Sequence, residues 1–163
     1  MIPQQFKDAI KIIYTRMNSK DFSWAFIGST NCALQGMGVS PRDLDLAMRL
    51  DDLKQIPQMF KDYFPSSIEE LLPDSKDIAW TAKLTNHPAF NVHAYVEGVE
   101  MQILGEKDDG DYVSKLIANR IIYVPFDGLR LPCFTLEAEV EAYEETYRPK
   151  KAEMIRQFLK DFK

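Results

Sequence analysis

Phe6, Ile10, Ile13 and Met17 recur at spacings of three and four, which predicts an amphipathic helix over about residues 3–19. An apolar-aromatic run at 23–27 reads as a buried strand, and 29–35 reads as a short helix that Gly36 and Gly38 end. The pattern then switches to a period of two. Leu44, Leu46 and Met48 point one way and Asp43, Asp45 and Ala47 the other, giving a strand over 43–48 with an apolar back and an acidic front. Asp51 and Asp52 are expected to cap a further helix carrying Leu53, Ile56, Met59 and Phe60, with Pro57 delaying its start or kinking it. Residues 64–77 read as an irregular connection and 79–84 as a strand. Two hairpins follow, 91–96 with 99–104 around Glu97-Gly98, and 121–124 with 129–131 around Asp127-Gly128; residues 107–110 form a polar turn between them. Helices over 136–146 and 149–162 close the chain, the second with Pro149 in its first turn. The expected fold is α+β (mixed α/β) in one domain over 1–163. It has a small mixed β-sheet, helices packed mainly on one face and a C-terminal helix pair.

The chain has 163 residues, 45% of them hydrophobic and 12% aromatic, enough for one well-buried core and too few for two ordinary domains. Its net charge of −5 argues against extended binding to DNA or RNA, whose phosphates an acidic surface repels. Cys32 and Cys133 stand far apart in apolar surroundings and read as reduced, packed thiols. The first residues lack the basic and apolar regions of a signal peptide, and no run of about 18 apolar residues is present. A cytoplasmic protein with no membrane partner is the expectation.

Candidate chemistry centres on Gly28-Ser29 and on Asp43-Leu44-Asp45. Gly28 lets the chain turn sharply off its strand and lets a phosphate approach the backbone; Ser29 adds a hydroxyl at a helix start, where unpaired N–H groups attract anions. The same serine also serves as an ordinary helix cap. Asp43 and Asp45 share a strand face about 7 Å apart at the backbone. Two such carboxylates repel each other unless a cation lies between them, and Mg²⁺ accepts carboxylate and phosphate oxygens together. The alternative is a strand edge whose acids face water.

Taken together, the strand, Gly28-Ser29, the helix and Asp43-Leu44-Asp45-Leu46 resemble the DNA polymerase beta-like nucleotidyltransferase superfamily. The closest resemblance is to small single-domain bacterial nucleotidyltransferase-like proteins, minimal relatives of the aminoglycoside, lincosamide and toxin-type enzymes. Ala33-Leu34-Gln35-Gly36, the Glu97-Gly98 hairpin leading to Ile103-Leu104-Gly105-Glu106, and the start of the terminal helix pair at Leu136-Glu137 extend the resemblance along the chain. It implies metal-dependent transfer of a nucleoside monophosphate from an NTP to an acceptor hydroxyl, releasing pyrophosphate. Asp43 and Asp45 would hold two Mg²⁺ ions, while Gly28 and Ser29 would hold the β and γ phosphates.

The superfamily usually supplies a third acid from a neighbouring strand. Glu100 is the candidate third catalytic carboxylate, a metal ligand that in the superfamily doubles as base for the attacking hydroxyl, although alignment on Gly105-Glu106 places Gln102 at that position. An amide there implies the alternative of a catalytically weakened module that binds a nucleotide or a partner protein, as in a toxin–antitoxin or resistance pair. Basic residues from the C-terminal segment of related folds approach the phosphates, so Arg148 and Lys151, with Lys150, are candidate nucleotide-binding residues; the competing reading is a solvated turn. The acceptor is left open between a small molecule, a protein side chain and a tRNA end, and so is the oligomeric state, a homodimer being one way to complete the cleft. Elsewhere, Arg42 is expected to pair with a surface acid, and His87 and His93 to be structural or exposed. Glu137, Glu139, Glu141, Glu144 and Glu145 form an acidic face expected to be solvated or to meet a basic partner.

Overall fold

A computed structural model describes residues 2–63 and 89–162. The strand expected at 79–84, the connection at 64–77 and His87 lie outside the described residues. Helix α1 (Gln4–Met17) buries Ala9, Ile10, Ile13 and Met17, the stripe set by its apolar spacing. Strand β1 (Trp24–Phe26) leads through Ile27 into α2 (Gly28–Leu34), and β2 (Leu44–Arg49) follows. Two single-turn helices come next, α3 (Leu50–Leu53) and α4 (Ile56–Met59), the break falling just ahead of Pro57. Arg49, not an aspartate, is the cap residue of α3. Asp51 and Asp52 lie in its first turn instead, where negative charge opposes the positive end of the helix dipole.

Both expected hairpins form, β3 (Ala89–Val96) with β4 (Val99–Glu106) and β5 (Ile121–Phe126) with β6 (Leu129–Phe134). Between them lies α5 (Val113–Ile117), which the apolar periodicity did not announce. A buried side chain starts it: Glu106, wholly inside, accepts the Tyr112 and Val113 amides at 2.8 and 3.0 Å. The chain ends with α6 (Leu136–Glu145), whose Thr135 hydroxyl accepts the Ala138 amide, and α7 (Pro149–Asp161).

The six strands form one mixed sheet in the order β3-β4-β2-β1-β6-β5. β1 runs antiparallel to β2 and parallel to β6, while β2 runs parallel to β4. Leu44, Leu46, Met48 and Phe26 pack with α1, Leu53 and Ile56 in the larger apolar cluster on one face. Ala25, Ala47 and Phe134 face the other way, onto Tyr112, Leu116, Ala138 and Ala142. Helices therefore cover both faces, and the packing is less one-sided than the sequence pattern suggests. A third cluster joins α2, α6 and α7 through Cys32, Leu136, Val140, Tyr143 and Ile155. Cys32 and Cys133 are buried free thiols. No helix among the described residues is long and apolar enough to cross a membrane.

Candidate functional site

The antiparallel pairing of β1 with β2 sets Phe26 opposite Leu46, and the Ile27 amide donates to the Asp45 carbonyl at 3.0 Å. This brings the Gly-Ser turn directly over the acidic strand. Gly28 adopts φ +68°, and a Cβ there would stand 2.6 Å from Asp45 Oδ2, so any other residue would be strained in its backbone and would displace the carboxylate. Two residues on, the Thr30 hydroxyl donates to the Asp43 carbonyl at 2.7 Å. Ser29 is half-buried beside this junction.

Asp43 precedes the first residue of β2 and Asp45 lies on it, both half-buried. Burial, and then the charge of Glu100, raise the Asp43 carboxyl above its ordinary range. Burial followed by the charges of Asp43 and Glu139 push Asp45 up to about 7, while Arg148 and Lys151 act in the opposite direction. Two oxygen donors on one face, destabilised as anions by burial and by neighbouring carboxylates, fit a hard divalent cation, which takes one or two carboxylates and completes its shell with water and phosphate.

On the next strand, Gln102 stands in register with Asp45, and its Nε2 donates to Asp43 Oδ2 at 3.2 Å. Glu100 lies two residues earlier on the same strand. It acts on Asp43 through its charge, and its Oε1 is 3.2 Å from His93 Nδ1 on β3. His93 is thus half-buried and paired with Glu100. Among the described residues, no group of three or more histidine, cysteine, aspartate and glutamate side chains gathers as a metal site. The geometry fits two carboxylates, with Glu100 at the margin.

The Arg148 guanidinium donates to Tyr112 Oη and, at 3.1 Å, to Thr146 Oγ1, and lies 4.7 Å from the Tyr143 ring centre. Lys151 approaches the same ring at 5.4 Å and lines a small cleft with Ser29. Both cations favour the charged forms of Asp45 and Glu139, so this turn is electrostatically part of the site. Lys150 is exposed, as is Arg42, whose charge nevertheless favours ionised Asp43.

One acid of α6 departs from the expected solvated face. Glu137, Glu141 and Glu144 are exposed, but Glu139 is 0% exposed. Its Oε1 accepts the Gly28 amide at 2.9 Å and its Oε2 accepts Asn31 Nδ2 at 2.7 Å. Burial pushes its carboxyl up to about 7, against the opposing effect of those two bonds. The signal was in the helical period: Leu136, Val140 and Tyr143 form the buried stripe, and Glu139 falls on it.

No family model and no curated protein matches the sequence. Solved structures do match. A crystal structure from Thermotoga maritima, assigned as a nucleotidyltransferase, is 22% identical with a TM-score of 0.71, covering 99% of this chain and 96% of its own. The antibiotic-resistance factor ANT(2'')-Ia is 10% identical with a TM-score of 0.57, covering 94% and 84%. The lincosamide antibiotic adenylyltransferase LnuA, solved with lincomycin bound, is 11% identical with a TM-score of 0.53, covering 94% and 98%. The six-stranded mixed sheet and these likenesses together establish that the chain has the nucleotidyltransferase fold.

Proposed function

We propose that this chain is a metal-dependent nucleotidyltransferase that moves a nucleoside monophosphate from an NTP to an acceptor hydroxyl and releases pyrophosphate. The observation that carries the reading is the contact of Gly28 with the Asp45 carboxylate, which joins a phosphate-type turn to a pair of destabilised acids. Asp43 and Asp45 would hold Mg²⁺. Held there, Mg²⁺ would supply Lewis-acid stabilisation of the charge that builds up during phosphate transfer. The Gly28 amide is already committed to Glu139, so phosphate oxygens are left to the Ser29 hydroxyl and to Lys151 across the same cleft. Arg148, fixed against Tyr112 and Tyr143, supplies a positive field behind the acids. The acceptor is a hydroxyl of a small molecule, a protein side chain or a tRNA end. ANT(2'')-Ia and LnuA are antibiotic-directed proteins, which makes a small polar molecule the first acceptor class to try.

Calorimetric titration with each Mg²⁺–NTP tests the proposal. Binding by the wild type that Asp45→Asn abolishes supports it, and the absence of binding to any of the four overturns it.

A second reading is favoured by the Gln102–Asp43 hydrogen bond. A neutral amide neither takes a proton from a hydroxyl nor ligates Mg²⁺ well, so this chain would bind a nucleotide without transferring it. Nucleotide binding without pyrophosphate release across a broad acceptor panel is the outcome that selects this version.

A further inference from the structure

We infer that Glu139 is a positioning residue of this site: by accepting both the Gly28 amide and the Asn31 side chain, it holds the Gly-Ser turn in the place that fixes the Asp45 carboxylate. The inference rests on the nucleotidyltransferase reading for its link to nucleotide binding, but its geometry stands apart from it.

A carboxylate removed from water is costly unless its oxygens are matched by donors, and an apolar side chain would fill the same space without that cost. Here both oxygens are matched, and both donors come from α2. The orientation of Asn31 is fixed in turn. Its Oδ1 accepts Gln35 Nε2 at 2.6 Å, and that same nitrogen donates to the Phe134 carbonyl at 2.8 Å. Asn31 therefore presents its NH₂ to Glu139 and cannot flip without breaking the bond from Gln35. The result is a chain of hydrogen bonds from β6 through Gln35 and Asn31 to α6 and back to Gly28.

Gly28 carries this order to the acids. Its backbone lies so close to Asp45 Oδ2 that a single added carbon would meet the oxygen at 2.6 Å. A displacement of the turn therefore changes the space open to the Asp45 carboxylate. Glu139 does not reach the reacting atoms; it acts through Gly28. The Gly28 N–H, which a bound phosphate would otherwise compete for, is spent on this anchor.

The test combines amide exchange with binding. In the wild-type protein, the Gly28 amide, followed by NMR, exchanges slowly. Glu139→Gln keeps the shape but leaves one acceptor oxygen for two donors, so the Gly28 amide must compete with the Asn31 NH₂ for it and its bond is weakened. Gly28 exchange then accelerates, the Asp45 carboxyl resonance moves, and the Kd for Mg²⁺–nucleotide rises about tenfold. Combining Asn31→Asp with Glu139→Gln reverses the direction of the hydrogen bond between positions 31 and 139. The pair keeps an acceptor for Gln35, gives the new NH₂ at position 139 an acceptor and frees the oxygen there for Gly28, which brings back slow exchange and tight binding, a rescue that a generic packing role would not give. Glu137→Gln, on the exposed side of the same helix, changes neither.

A folded Glu139→Gln protein with wild-type Gly28 exchange and an unchanged Kd overturns the inference. So does fast Gly28 exchange in the wild type, a measurement that needs no variant to fold. If the wild type binds no nucleotide, the proposed function falls, while the Gly28 and Asp45 resonances still decide the role of Glu139.

Discussion

Gln102 stands in register with Asp45 on the adjacent parallel strand and donates its amide N–H to Asp43, so a neutral donor is hydrogen-bonded into the carboxylate face. Gln102→Glu replaces that bond with a third negative charge. In the absence of metal the variant should lose about 2 kcal/mol of stability, the scale of a lost hydrogen bond to a charged group. Added Mg²⁺ should recover the loss and raise the melting temperature of the variant more than that of the wild type. Thermal melts with and without Mg²⁺ give both numbers.

Gly28→Ala tests the contact between turn and strand. A left-handed alanine costs about 1–2 kcal/mol, and the contact with Asp45 Oδ2 adds about 1–3 kcal/mol of overpacking. Gly36 also has a positive φ, of +91°, but nothing lies within 4 Å of its would-be Cβ. Gly36→Ala should therefore show the conformational cost alone. Urea unfolding of the two variants separates the terms, with Gly28→Ala the less stable.

Acid should stabilise the metal-free protein across the neutral range. Burial pushes the Asp45 and Glu139 carboxyls up to about 7, whereas in the unfolded chain such groups titrate near about 4. Between those values the folded state binds more protons than the unfolded state, so stability falls as pH rises. The contribution is full below the unfolded pKa and is lost as pH passes through the folded one. Urea midpoints should therefore drop as pH rises from about 4 to about 7 and level off above that. Asp45→Asn should flatten the slope, and Mg²⁺ should reduce it by favouring the ionised form.

Arg148 offers a fourth check. Arg148→Ala removes the donor to Tyr112 Oη and Thr146 Oγ1 and the cation over the Tyr143 ring. A loss of about 2 kcal/mol is expected from the bonds left unmade, together with weaker nucleotide binding. Because this guanidinium favours the charged forms of Asp45 and Glu139, both carboxyls should also titrate higher. Arg148→Lys restores charge but not the planar fork, so it should recover the titration more than the stability.

What the sequence disclosed follows the range of each interaction. Asp43 and Asp45 are legible because a period of two assigns a face without reference to the rest of the chain, and Gly28 because a sharp turn after an apolar strand demands it. Gln102 could be suspected from its spacing to Gly105-Glu106, and the register of β2 with β4 puts it beside Asp45. Helix α5 was hidden because its start depends on the buried carboxylate of Glu106 and not on an apolar period. Glu139 was missed for a related reason. Its charge suggested solvent, its position suggested the core, and only the docking of α6 on α2 supplies the donors that reconcile the two.

The Gly28–Glu139 bond joins residues 111 positions apart. During synthesis, strands β1 and β2 emerge long before α6 exists, so the turn and its acids remain unanchored until residue 139 has been made. Contacts of such sequence separation close late because the loop entropy must be overcome first. The candidate site is thus a product of completed folding, and a ribosome-bound chain that ends before residue 139 carries the motif without its anchor.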